Sequence, residues 1–486
     1  MKKALIIGGG IIGCSIAWRL AREGLEVTVL ERGRIGREAS WAAAGMIAAQ
    51  ADTHASGPFF DLRLRARDAL TAAAEMLRAE SPVDPEYDHA GILYLAFNAA
   101  ERDELEQRGR WQVAAGGAVE ELSPGAARKL EPAISPDVVY ALHFPTDRRV
   151  DNRKLTQAYA AAAILKGATF TEGAFADAII VNHDRAEAVR THDGHRHHAD
   201  LIINAAGSWA AQIRGLESDH VETYPIRGQV VCFDGRPGTL GPSIFSSRGY
   251  LVPRRDGRII AGSTAEEAGY DKSVTLAGLE QITRGALANV PALGTVPFRE
   301  AWAGLRPATR DFLPVVGPSP SLPNVFYATG HFRSGILLSA LTAELIADLA
   351  MDRRPALDLT PFSPARFAPA ASIKVLGLVR DIMLRSRIDT AAEALGLEVA
   401  YSAGLDHART RAAELQPAVI FADLSDSAFP AEQTARDLRA AAPKARIVGF
   451  AAHVDLNALA AARAAGFDLT LSRSEFTARL ADLLRP

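Results

Sequence analysis

Residues 4–13 read ALIIGGGIIG, which sets Gly8, Gly10 and Gly13 in the pattern G-x-G-x-x-G. This spacing suits a dinucleotide phosphate. Gly8 allows a tight turn, Gly10 lets the backbone approach a pyrophosphate, and Gly13 lets a helix pack closely on the strand before it. The helix N-terminus then faces the phosphates. Glu31 lies 18 residues beyond Gly13, at the end of a second apolar run. There its carboxylate can accept the hydroxyls of an adenosine ribose. A glycine pattern alone is a weak signal, but strands on both sides and an acid at this distance make it specific. Two later segments point to FAD rather than a nicotinamide. Asp200–Gly207 (DLIINAAG) is a buried strand ending in small residues, suited to passing under a dinucleotide. Asn324–Leu338 (NVFYATGHFRSGILL) is a strand, a glycine turn and a helix start. A helix N-terminus at the pyrimidine edge of a flavin would stabilise its anionic reduced ring.

The chain also carries, in this order, IIGGGIIGCSIAWRLAREG, EASWAAAGMIA, VDNRKL, PIRGQVV, GYLVPR, WAGLRPATRDFLPVVGP and ATGHFRSGILL. With this set, residues 1 to about 352 resemble the glycine oxidases within the D-amino-acid oxidase-like flavoproteins. The resemblance implies non-covalent FAD. It adds Ile11, Ile12 and Arg32 to the cofactor residues, and Ser40, Ala43, Ala44, Gly45 and Met46 from a segment threaded past the flavin. It also adds Ala176, Ala206, Gly207 and Trp209 near the adenosine and pyrophosphate. Gly330, His331, Arg333, Ser334, Gly335 and Ile336 follow at the second glycine turn. It further implies oxidation of glycine or small amines such as sarcosine to the imine and glyoxylate, with ammonia and hydrogen peroxide released. The imine would feed the thiazole branch of thiamine synthesis.

An amino-acid oxidase must hold a carboxylate, and the arginine fork binds one bidentately. The resemblance puts this role on Arg306, within WAGLRP, with Tyr250 beside or over the substrate and Arg333 near the flavin edge. Trp302, Leu305 and Pro307 around Arg306 argue against plain exposure. No general base is expected, because the flavin does the hard chemistry on a neutral amine. Arg248 and Ala265 stand where pocket-lining residues vary among the relatives. His192, His195, His197 and His198 look like a metal cluster, but THDGHRHHAD reads as a solvated hairpin turn, and no metal is expected.

The elements that must position these residues follow from apolar periodicity. Ala4–Ile7 and Val27–Leu30 are buried strands around a helix that ends near Gly24, one βαβ unit. Residues 61–110 read as helical and Ala/Leu-rich, and short strands dominate 224–263. The expected fold is α/β and α+β, a Rossmann-like FAD-binding domain with an interleaved substrate domain. The oxidase module spans 1–365, with its FAD part near 1–50, 145–209 and 310–352 and its substrate part near 51–144 and 210–309. Pro355, Pro361, Pro364 and Pro369 mark residues 353–372 as a linker.

Residues 373–486 read as a separate flavodoxin-like (βα)5 domain and resemble a response-regulator receiver. Asp423, at the end of the third strand, lies where receivers accept phosphate. The remaining apparatus departs: Arg380-Asp381 replaces the acidic pair, Ala451 the hydroxyl residue and Arg473 the lysine. A receiver needs clustered acids for Mg²⁺ and a hydroxyl and amine to switch. A structural role, or docking of an unidentified protein, is therefore expected in place of phosphorylation, with Arg380 pairing with Asp423 or repelling the cation.

Composition limits the alternatives. The 486 residues carry a net charge of −3, with 48% apolar and 23% charged residues, the mix of a globular chain of roughly three domains at about 150 residues each. There is no net field for nucleic acid, and the tail has no basic excess, which disfavours an RNA-modifying relative. Two cysteines, Cys14 and Cys232, exclude a disulfide framework. The apolar stretch Ala4–Trp18 is too short to span a membrane and holds four glycines. A cytoplasmic homo-oligomer acting on a small amino acid and O2 is expected. A sarcosine or general D-amino-acid oxidase, or a flavin-binding redox sensor signalling through the tail, stand as alternatives.

Overall fold

The computed structural model describes residues 2–367, 375–395, 397–452 and 455–484. The chain divides into two compact units, Met1–Ala368 and Pro369–Pro486.

In the first unit the apolar runs at 4–7, 27–30 and 201–203 are buried on both faces, as a covered parallel sheet requires. Lys3–Ile7 pairs in parallel with Glu26–Glu31 on one side and Leu201–Asn204 on the other. The six-stranded sheet is completed by Thr169–Glu172, Val325–Thr329 and an antiparallel Val315–Pro318. Helices Ile11–Arg22, Asn152–Leu165 and Gly335–Ala350 cover it and share one apolar core. An eight-stranded sheet forms the second layer of the unit. Its strand order is Phe298–Ala308, Tyr224–Asp234, Arg258–Gly262, Gly249–Pro253, Ser243–Ser246, Ile92–Ala96, Tyr140–Phe144 and Glu120–Leu122. Helix Leu276–Asn289 contributes to its own core, around Val231, Leu251 and Ile282.

Three details differ from the sequence reading. Helix Pro58–Glu80 falls in the stretch assigned to the substrate part, yet Leu62, Ala66, Leu70, Ala73, Ala74 and Leu77 join the core of the FAD-side helices. Its apolar residues recur at helical spacing and fit the groove beside Gly335–Ala350. The helical reading of 61–110 is broken by Ile92–Ala96, five buried residues in a strand. Residues 353–367, read as linker, are instead packed on the first unit. Phe362 and Phe367 are buried, and Arg366 reaches Asp311 through Nε at 2.7 Å and Nη2 at 3.2 Å. Prolines fix the path of this segment without freeing it. The rest of the expected linker, 368–372, and the first two residues of the expected tail lie outside the described residues.

A cut between the units therefore belongs after residue 368. A chain ending there is expected to stay yellow and keep its melting temperature. Ending at Leu359 strips two buried phenylalanines, each worth about 1.5–3 kcal/mol, and should lower the melting temperature measurably.

The histidines of 192–198 lie on an antiparallel hairpin, Arg185–Thr191 with Arg196–His198, at the surface. Among the described residues no group of three or more His, Cys, Asp or Glu could hold a metal ion. No helix among them is long and apolar enough to cross a membrane.

In the second unit five parallel strands lie in the order Val399–Tyr401, Val375–Leu378, Val419–Asp423, Arg446–Ala451 and Leu469–Ser472. Helices flank the sheet, and two apolar cores cover its faces.

Candidate active site

A cavity of about 480 Å³ runs between the two sheets of the first unit. Its floor is the turn after Lys3–Ile7. Gly8 has φ +106°, and a Cβ there would lie 2.5 Å from the Ala205 carbonyl oxygen. Gly13 does not line the cavity. A Cβ on it would lie 1.9 Å from the Gly8 carbonyl oxygen, so it sets the close approach of helix to strand. Helix Ile11–Arg22 starts with no side-chain cap from Gly10 and no acid in its first turn. Such an end favours an anion.

Glu31 is buried at the cavity wall and held at both oxygens. Gly9 N–H donates to Oε2 and Gly33 N–H to Oε1, each at 2.8 Å. Arg32 stacks on Trp209, 3.4 Å from the ring centre, and pairs with Glu38 at 2.9 Å, closing this end. Along the middle run Ser40, Ala43, Ala44, Gly45 and Met46. Ser40 Oγ accepts the Ile11 N–H at 2.9 Å. Gly45 has φ +73°, with the Val150 carbonyl where a Cβ would stand. At the far end helix Gly335–Ala350 points its first turn into the cavity.

The substrate side is built by neighbouring strands. Arg306, on Phe298–Ala308, lies opposite Ile226, and Tyr250 lies opposite Gly262. Arg306 Nη1 donates to the Thr264 carbonyl at 3.1 Å and Nη2 to Ser263 Oγ at 2.7 Å. Burial, and then the neighbouring Arg333 cation, lower its pKa, while Tyr250 and Asp52 oppose this. Burial drives His331 down to about 3, so its ring is neutral, with Nε2 3.1 Å from Thr342 Oγ1.

Of the expected residues, all but Gly13 and Gly330 line this one cavity. Gly330 has φ +69° and makes the turn before the helix. Arg248 lines the cavity and Ala265 does not, so Ala265 does not set its size. Sequence reasoning missed Asp52, which sits 3.6 Å from Arg63 and 3.7 Å from Arg333. It also missed Arg254 and Asn152. Arg254 Nη2 donates to the Ala44 carbonyl at 2.9 Å and to Asn152 Oδ1 at 2.7 Å, while Nη1 donates to the Val150 carbonyl at 2.5 Å. The signal was present, since both residues fall inside the quoted stretches GYLVPR and VDNRKL.

A glycine cradle at a helix N-terminus, an acid for a ribose and a second helix end facing the same cavity define a dinucleotide-dependent oxidoreductase. The chain matches the FAD dependent oxidoreductase (DAO) family over residues 3–349 and belongs to that family. Its cofactor is FAD, and the glycine cradle and Glu31 fit the pyrophosphate and the ribose. The chain is 33% identical over 363 residues to a glycine oxidase of Geobacillus kaustophilus (strain HTA426), covering 74% of this chain and 96% of that protein. The crystal structure of glycine oxidase from Geobacillus kaustophilus matches with a TM-score of 0.72 at 32% identity, over 75% of this chain and 99% of that one. The bifunctional protein ThiO/ThiG of Synechocystis sp. (strain ATCC 27184 / PCC 6803 / Kazusa) is 36% identical over 379 residues, 76% of this chain and 55% of that protein.

Neither cysteine reaches the cavity. Cys14 is buried with Sγ against the Gly9 carbonyl at 3.3 Å, and burial raises its pKa. Cys232 is buried in the eight-stranded sheet, and burial raises its pKa too. Acid precipitation is therefore expected to release the yellow colour into the supernatant. A yellow pellet would contradict it.

Proposed function

We propose that the first unit oxidises glycine and small amines such as sarcosine. Glycine, O2 and water would yield glyoxylate, ammonia and hydrogen peroxide. One observation carries the reading. Arg306 lines the FAD cavity with a neutral carbonyl and a hydroxyl as its hydrogen-bond partners, and no carboxylate lies within 4.0 Å of it among the described residues. A half-buried guanidinium without a counter-ion is matched by a ligand carboxylate. When bound, FAD supplies the two-electron acceptor and the route to O2. The chain's residues do the rest. Arg306 holds the carboxylate through its fork, and Tyr250 stands beside it. The first turn of Gly335–Ala350 favours negative charge at the cavity end. Neutral His331 adds no competing cation.

The fused relative with a ThiO part supports a role in supplying the imine for thiamine synthesis. The deciding experiment is a small-amine panel with peroxide and ammonia both measured. Glycine should give the two in equal amounts, and sarcosine should give peroxide without ammonia. A preference for D-phenylalanine or D-methionine would move the reading to a general D-amino-acid oxidase. Flavin reduction without turnover would favour the sensor.

For the second unit, we infer a flavodoxin-like, receiver-like domain that does not accept phosphate. The second-first-third-fourth-fifth strand order supports this reading. So does Arg473, whose Nη2 donates to Asp423 at 2.6 Å and Nη1 to Asp381 at 3.2 Å. Both acids that a cation would need are already paired with a cation. The arginine expected to pair with Asp423, Arg380, faces Asp426 at 3.5 Å instead. Acetyl phosphate with Mg²⁺ should leave the mass of the full chain unchanged. A gain of one phosphoryl group, lost in Asp423→Asn, would make the domain a working receiver.

A further inference from the structure

Five arginines line the cavity: Arg32, Arg63, Arg248, Arg306 and Arg333. Three have carboxylate partners. Arg32 pairs with Glu38, and Arg63 and Arg333 both approach Asp52. Among the described residues, no ion pair within 4.0 Å includes Arg306 or Arg248. Arg306 takes the substrate carboxylate in the reading above. Arg248 is left over.

Arg248 sits at the tip of the hairpin Ser243–Ser246 and Gly249–Pro253, two residues before Tyr250. The tip is held in place. Arg248 N–H donates to Ser246 Oγ at 3.0 Å, and Ser247 Oγ donates to Glu101 Oε1 at 2.9 Å. Helix Leu276–Asn289 presses against it at Gly285, where a Cβ would lie 2.1 Å from the Arg248 carbonyl oxygen. The guanidinium lies 3.7 Å from the ring centre of Phe97. A guanidinium stacked on an aromatic face keeps its edge N–H groups available for a planar anion. Glu101, which accepts the Ser247 hydroxyl, takes the Phe97 N–H on its other oxygen at 2.7 Å. Arg248 thus lines the cavity as an exposed arginine with no ion-pair partner within 4.0 Å among the described residues.

We propose that Arg248 is a specificity residue for amines carrying a second carboxylate, the first being held by Arg306. The inference rests on the Arg306 reading. Two substrate classes share this chemistry, secondary amines with a carboxymethyl group on each arm and acidic D-amino acids. Peroxide production by the full-length flavin-loaded chain on N-(carboxymethyl)glycine, D-aspartate and glycine separates them. The ratio of kcat/KM for the preferred dicarboxylic amine over that for glycine should fall about fivefold or more in Arg248→Gln, and Arg248→Lys should recover part of it. A smaller fall, or no peroxide from either dicarboxylic amine, overturns the proposal. The two readings fail separately. If Arg306→Ala leaves glycine turnover intact, the Arg306 reading falls. If Arg306→Ala abolishes it while the ratio is insensitive to Arg248, only the Arg248 proposal falls.

Discussion

Arg306→Ala should cost the flavin-loaded enzyme tens- to thousands-fold in kcat/KM on glycine while leaving FAD in place. Removing one member of a desolvated, hydrogen-bonded charge pair costs about 2–5 kcal/mol. The flavin should stay because Arg306 reaches the cavity from the eight-stranded sheet, whereas the glycine cradle and Glu31 belong to the other sheet. Arg306→Lys should also be impaired. The guanidinium spans Thr264 and Ser263 with two different nitrogens, and a single ammonium cannot hold both while also meeting a carboxylate. Glycine is the sharper probe, since it offers no side chain through which a variant could recover binding. The measurement is steady-state peroxide formation, normalised to bound flavin by its visible absorbance. Near-normal kinetics in flavin-loaded Arg306→Ala would remove Arg306 from the site.

The residues legible in the sequence were those whose signal is local. Gly8, Gly10, Gly13 and Glu31 lie within one βαβ unit, and their spacing carries the geometry. Asp52 had no such signal. It matters through Arg333, 281 positions further along, and no periodicity encodes that approach. Residues 353–367 misled for the opposite reason. Three prolines there imitate a linker, while the anchors, Phe362 and Phe367, are single residues outside any repeating pattern. The strand Ile92–Ala96 is short and apolar on both faces, and a run of five cannot be told from a helix segment by periodicity. In the tail, the sequence placed an arginine near Asp423 by strand order, but which arginine depends on side-chain reach. Arg473 follows Leu469–Ser472, two strands away from Val419–Asp423, and reaches two acids, while Arg380 turns toward Asp426.

Arg254→Met should destabilise the first unit by about 3–5 kcal/mol and weaken FAD binding at the same time, the size expected when buried partners of a cation are orphaned. Arg254 is buried, and burial holds its pKa down to about 10, so it remains a cation at neutral pH. Its two terminal nitrogens tie together two segments that are distant in sequence, one at Ala44 and the other at Val150 and Asn152. Asn152 extends the brace, because its Nδ2 donates to the Ser40 carbonyl at 2.7 Å. Arg254 and Asn152 thus join Arg153 and Trp302, which donate to the Trp41 and Ala42 carbonyls at 3.2 and 3.0 Å, in holding the strap from Ser40 to Met46 that forms one wall of the FAD cavity. Methionine fills much of the volume and donates nothing, leaving the Ala44 and Val150 carbonyls and the Asn152 amide oxygen without that partner. Arg254→Lys keeps the charge but reaches fewer of the three acceptors, so it should fall between wild type and Arg254→Met. Denaturant unfolding of apo and FAD-loaded forms tests both parts. If Arg254 braces the strap, the stabilisation conferred by added FAD shrinks in the variant along with the apo stability. A variant that lost apo stability but gained as much from FAD as the wild type would show that Arg254 supports the fold without shaping the cofactor wall.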